Sequence, residues 1–341
     1  MQTYNPLLSL LLFLVIATVL FFLFQPKKGW FWIIKNNYKP NKKVIAEDIL
    51  KFLFHSESEG KTVYKIELFE FLKIKNSIIT KVIDIAVSQK LISIENKLVQ
   101  LTLEGRKEAL RIIRTHRLWE KFLAEKTGYD KIEWHERAER KEHELDVEQV
   151  NLLASKLGQP QFDPHGDPIP SQTGKMPVLK GVSLTTLPVY FTGKIVHIED
   201  EPEVVYKQIL AENIHIGSIL KVLENNKTRI TFYSEGEEYR LSPEVAENLT
   251  IAVFQNDIKV EHDLMRLTSL KENETATIIG LSKESRGDSR RRLLDLGFVK
   301  GASVSIDLVN PLKEPTAYLI KGTSIALRNN QASYILIKKD I

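Results

Sequence analysis

The first long pattern in the chain is an uncharged apolar run, LLSLLLFLVIATVLFFLF, from Leu7 to Phe24. At about 1.5 Å rise per residue it comes close to spanning a ~30 Å hydrocarbon layer, which predicts one short transmembrane helix. No basic residue precedes it, and Gln25-Pro26-Lys27-Lys28 is not a small-residue cleavage site, so an uncleaved anchor is expected rather than a signal peptide. Lys27, Lys28, Lys35, Lys39, Lys42 and Lys43 follow, while Met1 to Pro6 has no basic side chain. The positive-inside rule then places the remainder in the cytoplasm, with Trp30, Phe31 and Trp32 at the membrane interface.

After the anchor and its flank (residues 1–30), VIAEDILKFLFH, KIELFEFL and NSIITKVIDIAVSQK show helical spacing. LISIENKLVQLT alternates about an Asn96-Lys97 turn, so residues 42–105 predict a winged helix-turn-helix. Helical spacing resumes in EGRKEALRIIRTHRLWEKFLAE, KIEWHERAERKEHEL and VEQVNLLASKL, and ends at Gly158 with Pro160 beyond. These segments predict a helical domain over 106–160, followed by an irregular Pro-, Gly- and Asp-rich linker over 161–180.

Two segments then repeat at an offset of about 80 residues. Leu184-Thr185-Thr186-Leu187 answers Leu267-Thr268-Ser269-Leu270, and Ile214-His215-Ile216-Gly217 answers Phe298-Val299-Lys300-Gly301. Leu241 and Ala246 answer Leu327 and Ala332. Each copy has a helical stretch before the central Gly and alternating strands after it, which predicts two small SH3-like all-β barrels over 181–255 and 262–341. The fold class expected overall is α+β, multidomain, with a single transmembrane helix.

Composition narrows the chemistry. The 341 residues exceed one ordinary core, and the net charge of +4 leaves any nucleic-acid surface to be local. With Cys 0 there is neither a disulfide framework nor a thiolate site, so a metal centre must use oxygen and imidazole ligands. His116 and Glu120 are four apart on one predicted helix. On the next, His135, Glu139, Glu142 and His143 share a sector of roughly 100°. Two such faces set against each other would make an oxygen and nitrogen cage that Asp48 on the first helix can complete. Taken alone, the same residues also suit a solvated, charge-rich helix with pairs such as Glu136 and Arg140.

The runs HRLWEKFL, WHERAERKEH and LGQPQFDPHGDPIP resemble the metal-binding domain of the diphtheria toxin repressor and manganese transport regulator family. The preceding helix-turn-helix, wing and Leu101-Thr102-x-Glu104-Gly105 align in order, and the C-terminal segments resemble the ferrous iron transport protein A (FeoA) domain. The resemblance runs from about Val44 to the end and implies a non-enzymatic, homodimeric, metal-dependent regulator of metal-uptake genes. It implies an ancillary site at His116, Glu120 and His135, and a primary site at Asp48, Glu139, Glu142 and His143. Asp48 and Glu139 are the manganese-branch choices, so Mn(II) or Fe(II) is the expected cofactor. Two barrel ligands of the iron branch fall near Pro202 and Val205, with Glu201 and Glu203 as neighbouring substitutes. His165 is expected to serve the linker's turn chemistry rather than a metal, and His55, His197, His215 and His262 receive no role.

For operator DNA, the contact surface expected is Lys73, Lys75, Ser77, Thr80 and Lys81. The apolar arc of Ile78, Ile79, Val82, Ile83, Ile85, Ala86 and Val87 is expected to face inward, over roughly 200°. Against DNA reading stand Asp84 and the lack of Arg or Gln on the remaining face. A second function therefore stays open: a membrane-anchored sensor that regulates a metal transporter through its FeoA-like barrels, with a degenerate winged helix. The anchor's flank resembles the end of a metal ABC-transporter permease, and the basic cluster Arg286, Arg290, Arg291 and Arg292 suits an acidic partner or lipid phosphate. Nothing in the sequence provides a phosphate loop or nucleophile elbow.

Overall fold

The computed structural model describes residues 6–25, 41–253, 264–311 and 314–340. The basic and aromatic flank from Lys27 to Lys39, together with His262, lies outside the described residues. The chain divides into two compact units, Met1–Glu108 and Ala109–Ile341.

In the first unit, helix α1 (Pro6–Phe24) has 19 residues, none of them buried, and is long and apolar enough to cross a membrane. Helix α2 (Lys42–Ser58) is capped by Asn41, whose side chain accepts from the Lys43 N–H, and buries Ile45, Ile49, Leu50 and Leu53 along one stripe. Strand β1 (Val63–Tyr64) precedes helices α3 (Lys65–Leu72) and α4 (Asn76–Ser88). Strands β2 (Ile92–Glu95) and β3 (Leu98–Leu101) form the hairpin, and β1 adds to β3. Asn96 and Lys97 both take positive φ, 50° and 69°, as a two-residue hairpin turn requires. The two-residue β1 is too short to leave a periodic signal.

Helix α4 departs from the inward placement expected of its apolar residues. Ile79, Val82, Ile83 and Ala86 are buried, but Ile78, Ile85 and Val87 are exposed. A single helix packed on one side buries only the i, i+3, i+4, i+7 stripe, so a wider apolar arc must spill onto the surface.

Helix α5 (Leu103–Lys126) leads into the second unit, where α6 (Lys131–Glu142) and α7 (Val147–Lys156) follow. Helix α6 buries Trp134, Ala138 and Glu142 at four-residue spacing and stops at Glu142, short of the Leu145 end expected. Helix α7 opens with an Asp146 and Gln149 capping box, and Gly158 takes φ 75° just beyond its end. The linker has turns and an isolated Phe162–Pro168 bridge but no helix or strand, and it is held in place: Arg114 donates to the Pro170 carbonyl at 3.0 Å, Arg117 donates to that of Pro168 at 2.6 Å, and Asp163 to Gly166 are buried.

Two six-stranded sheets complete the unit. The first comprises β4 (Val182–Ser183), β5 (Thr192–Ile198), β6 (Ile219–Asn225), β7 (Ile230–Ser234), β8 (Glu237–Leu241) and β9 (Leu249–Val253), in the order β4-β9-β5-β6-β7-β8. Helices α8 (Glu203–Ala211) and α9 (Pro243–Ala246) interrupt it. The second comprises β10 (Met265–Arg266), β11 (Thr275–Leu281), β12 (Ser303–Val309), β13 (Thr316–Ile320), β14 (Thr323–Leu327) and β15 (Ile335–Lys339). Its order, β10-β15-β11-β12-β13-β14, is the same topology, with helices α10 (Gly287–Asp295) and α11 (Asn329–Ala332) at the matching places. These helices make neither copy all-β. The repeat extends to register: bulges fall between Ile195 and His197 in one copy and between Ile278 and Gly280 in the other. Glu235 ties the copies, accepting from Ser218 at 2.7 Å and from Ser282 at 2.6 Å.

Candidate metal centre

Helix α5 supplies His116 and Glu120, both buried, and α6 supplies His135, half-buried. His116 Nε2 lies 3.1 Å from Glu120 Oε1, and His135 Nδ1 lies 3.5 Å from the same oxygen. Two groups from further along the chain join them. Asp200, just past β5, sets Oδ2 3.4 Å from His135 Nδ1. His165, from the linker and only 3% exposed, sets Nε2 3.9 Å from Glu120 Oε1 and 3.8 Å from Asp200 Oδ2.

The hydrogen-bond accounting singles out this point. Glu120 Oε1, His135 Nδ1 and His165 Nε2 are buried side-chain atoms with no hydrogen-bond partner among the described residues. Orphaned buried polar atoms are costly, and three converging within ion-pair distance fit a cation better than one another. Three imidazoles and two carboxylates, with no sulfur, suit borderline and harder divalent ions.

Electrostatics point the same way. Burial raises the Glu120 carboxyl, but His116, His135 and His165 outweigh it and hold it well below its usual range. Burial disfavours the His135 imidazolium, yet the neighbouring carboxylates of Asp200, Glu120 and Glu139 push it up to about 12. Without a cation, a proton on His135 offsets the carboxylates.

His165 is held from below. Asp163 Oδ1 accepts from the His165 N–H at 2.8 Å and the Asp167 N–H at 2.9 Å. Burial, with Asp167 and Glu120 nearby, pushes the Asp163 carboxyl up. Gly166, at φ 92°, lets the turn press onto β5: a Cβ there would sit 2.1 Å from the Val196 carbonyl oxygen. The expectation that His165 only serves the linker is thus corrected, because its ring is buried against Trp134 and Tyr206 and faces the cluster.

The remaining expected ligands are placed as follows. Glu142, 1% exposed at its side chain, sets Oε2 2.5 Å from His116 Nδ1, the carboxylate–imidazole arrangement that orients a ligating histidine. His143 Nε2 lies 3.6 Å from Glu142 Oε1. Glu139 is 54% exposed at its side chain and lies 3.5 Å from His135 Nε2, on the ring edge away from the cluster. Glu201 is 3.6 Å from that same nitrogen, whereas Glu203 pairs with Lys207 at 2.7 Å and takes no part. Asp48 stands half-buried on α2 of the first unit. Sequence spacing found the α5 and α6 residues but missed Asp200 and His165, which no helical period connects.

Of the expected DNA-contacting residues, Lys73, Lys75, Ser77 and Lys81 are exposed and Thr80 is half-buried. Asp84 shares the exposed face of α4.

Residues 102–171 match the iron dependent repressor, metal binding and dimerisation domain, and residues 265–339 match the FeoA domain. A probable metal transport system membrane protein of Chlamydia trachomatis is 40% identical over 75 residues, 22% of this chain and 17% of that protein. The diphtheria toxin repressor of Corynebacterium diphtheriae is 23% identical over 220 residues, covering 60% of this chain and 96% of the relative. A solved manganese-dependent transcriptional repressor in complex with manganese superposes with TM-score 0.55 and 29% identity, over 61% of this chain and all of that one. The chain is thus similar to iron- and manganese-dependent repressors over its helical part, and residues 265–339 match the FeoA domain.

Proposed function

We propose that this chain is a membrane-tethered transcriptional regulator that responds to Mn(II) or Fe(II), acting as a homodimer on operator DNA. The observation that carries the metal reading is the convergence of the orphaned Glu120, His135 and His165 atoms with His116 and Asp200. These five residues would hold the ion, and Glu142 would orient His116 through Nδ1. A bound divalent cation supplies positive charge that replaces the proton on His135. Glu120 draws on α5, His135 on α6, His165 on the linker and Asp200 on the first sheet, so one site ties four segments together. In this reading α1 is the anchor, and the two sheets are SH3-type FeoA-like modules.

Calorimetric titration of the detergent-solubilised full chain with Mn(II) tests it. Glu120→Gln should weaken Mn(II) binding by at least about tenfold, the range seen when metal-site groups are removed. Unchanged binding by a folded Glu120→Gln variant would overturn the metal reading.

One observation favours a second reading, a sensor that regulates a metal transporter. Helix α4 exposes Ile78, Ile85 and Val87 beside Asp84, a poor surface for phosphate-rich DNA. The similarity to a probable metal transport membrane protein adds to it. A mobility-shift titration of the full chain with Mn(II) at low salt separates the two: retarded DNA supports the regulator, and no retarded species supports the transporter partner.

A further inference from the structure

The two six-stranded sheets are copies, and each sends the same loop toward helix α6. After β5, Asp200 sets Oδ2 3.4 Å from His135 Nδ1. The matching loop after β11 carries Glu284, whose Oε2 lies 3.0 Å from His215 Nε2. His215 Nδ1 in turn lies 3.1 Å from Lys131 Nζ. Lys131 stands one turn before His135, so the two copies address consecutive turns of one ligand-bearing helix. The second loop also reaches α5. Gly287, at φ 51°, brings the start of α10 so close that a Cβ there would sit 3.0 Å from the Glu125 carbonyl oxygen. Helix α5 carries His116 and Glu120, so the second sheet holds the corner between both ligand helices.

The links are chemical as well as steric. Burial disfavours the His215 imidazolium. Its neutral ring accepts from the Lys131 ammonium at Nδ1 and turns its Nε2 proton toward Glu284. Burial pushes Lys131 down to about 8, and the Glu284 carboxylate opposes that fall from beyond the intervening ring. The chain is nearly but not fully closed. His215 Nε2 is buried with no hydrogen-bond partner among the described residues, because its contact with Glu284 is close but out of line. A small movement of α6 or of the loop that aligns this pair is favourable, since a buried donor left unpaired is costly.

We propose that Lys131, His215 and Glu284 are positioning residues for the metal centre, through which the second, FeoA-matching sheet is coupled to the cation. This coupling rests on the metal reading above. It gives a role to a sheet that supplies none of the five ligands: the closed chain fixes α6 where His135 meets the ion, and an ion at His135 favours the closed chain. Coupling between two sites is reciprocal, so metal occupancy also orders the segment 282–291 of the second sheet.

The test uses the full chain in detergent with Mn(II) as the probe. Hydrogen exchange read by mass spectrometry needs no variant: residues 282–291 are expected to exchange at least about fivefold more slowly with Mn(II), the lower end of couplings between sites. By calorimetry, Glu284→Gln is expected to weaken Mn(II) binding by the same factor. The double variant Lys131→Met, Glu284→Gln should cost no more than Glu284→Gln alone, because both residues act through one chain. Lys339→Gln breaks the 2.8 Å pair with Glu274 at the opposite end of β11 and should leave Mn(II) affinity unchanged. Unchanged exchange in the parent chain overturns the coupling, as do additive losses in the double variant, an equal loss in Lys339→Gln, or parental affinity in Glu284→Gln. A parent chain that binds no Mn(II) ends the metal reading and the coupling together, whereas one that binds it with no effect at 282–291 ends the coupling alone.

Discussion

At the residue scale, His165 and Glu120 bear most of the account. His165 is buried, its backbone N–H bonded to Asp163, and its Nε2 bonded to nothing among the described residues. His165→Ala is expected to lower Mn(II) affinity by at least about tenfold while leaving the circular dichroism spectrum intact, because the ring's contribution is to the ion and not to a hydrogen-bond network. The protonation of His135 gives a second prediction with a definite sign. Its imidazolium persists through neutral pH in the metal-free state, so binding an ion must release that proton. Mn(II) affinity should therefore rise with pH, by up to about tenfold per unit for one released proton. Titrations between about pH 6 and 8 in two buffers of different ionisation enthalpy check this, and a pH-independent affinity with no proton release contradicts it.

The helical candidate residues were legible in the sequence because four-residue spacing places them on shared faces, and the i, i+4 pairs His116 with Glu120 and His135 with Glu139 stand within 3.1 and 3.5 Å. Spacing could not say which members of a face turn inward. His135 and Glu139 share a face, yet Glu139 remains 54% exposed because α6 buries its Trp134, Ala138 and Glu142 stripe instead. His165 and Asp200 were illegible for a different reason: each is placed by a turn against β5, and turn chemistry explains such residues without revealing what they face.

At the element scale, the turn from Asp163 to Asp167 is the most sensitive piece. Gly166→Ala forces a side chain into a left-handed backbone position, costing about 1–2 kcal/mol before any clash. The clash with the Val196 carbonyl oxygen adds to that cost. We expect lower thermal stability and a weaker Mn(II) site in this variant, measured by calorimetry on the same sample; full Mn(II) affinity would show that the turn does not position His165. Helix α4 gives the other element-scale prediction. If the regulator reading holds, Lys81→Glu removes its central exposed cation and should abolish the metal-dependent mobility shift while Mn(II) binding stays unchanged. Here the sequence misled in part, since an apolar arc wider than one packing stripe was assigned wholly to the core.

At the scale of the whole molecule, duplication dominates, and the proposed tether rests on helix α1. The two sheets share strand order, helix placement and bulge positions, which was readable from paired leucines and from the central glycines Gly217 and Gly301, both at positive φ. Helix α1 has no buried residue, so its apolar surface needs a partner of its own. Removing residues 1–25 should shift the protein from the membrane fraction to the supernatant and leave Mn(II) affinity unchanged. Retention in the membrane fraction would contradict the anchor.

The central claim is that four distant segments close on one divalent cation. Crystals of the chain grown with Mn(II) test it directly through an anomalous difference map. A peak bounded by His116 Nε2, Glu120 Oε1, His135 Nδ1, His165 Nε2 and Asp200 Oδ2 is the predicted result. Anomalous density elsewhere, with those five atoms instead bonded to water or to one another, would contradict it.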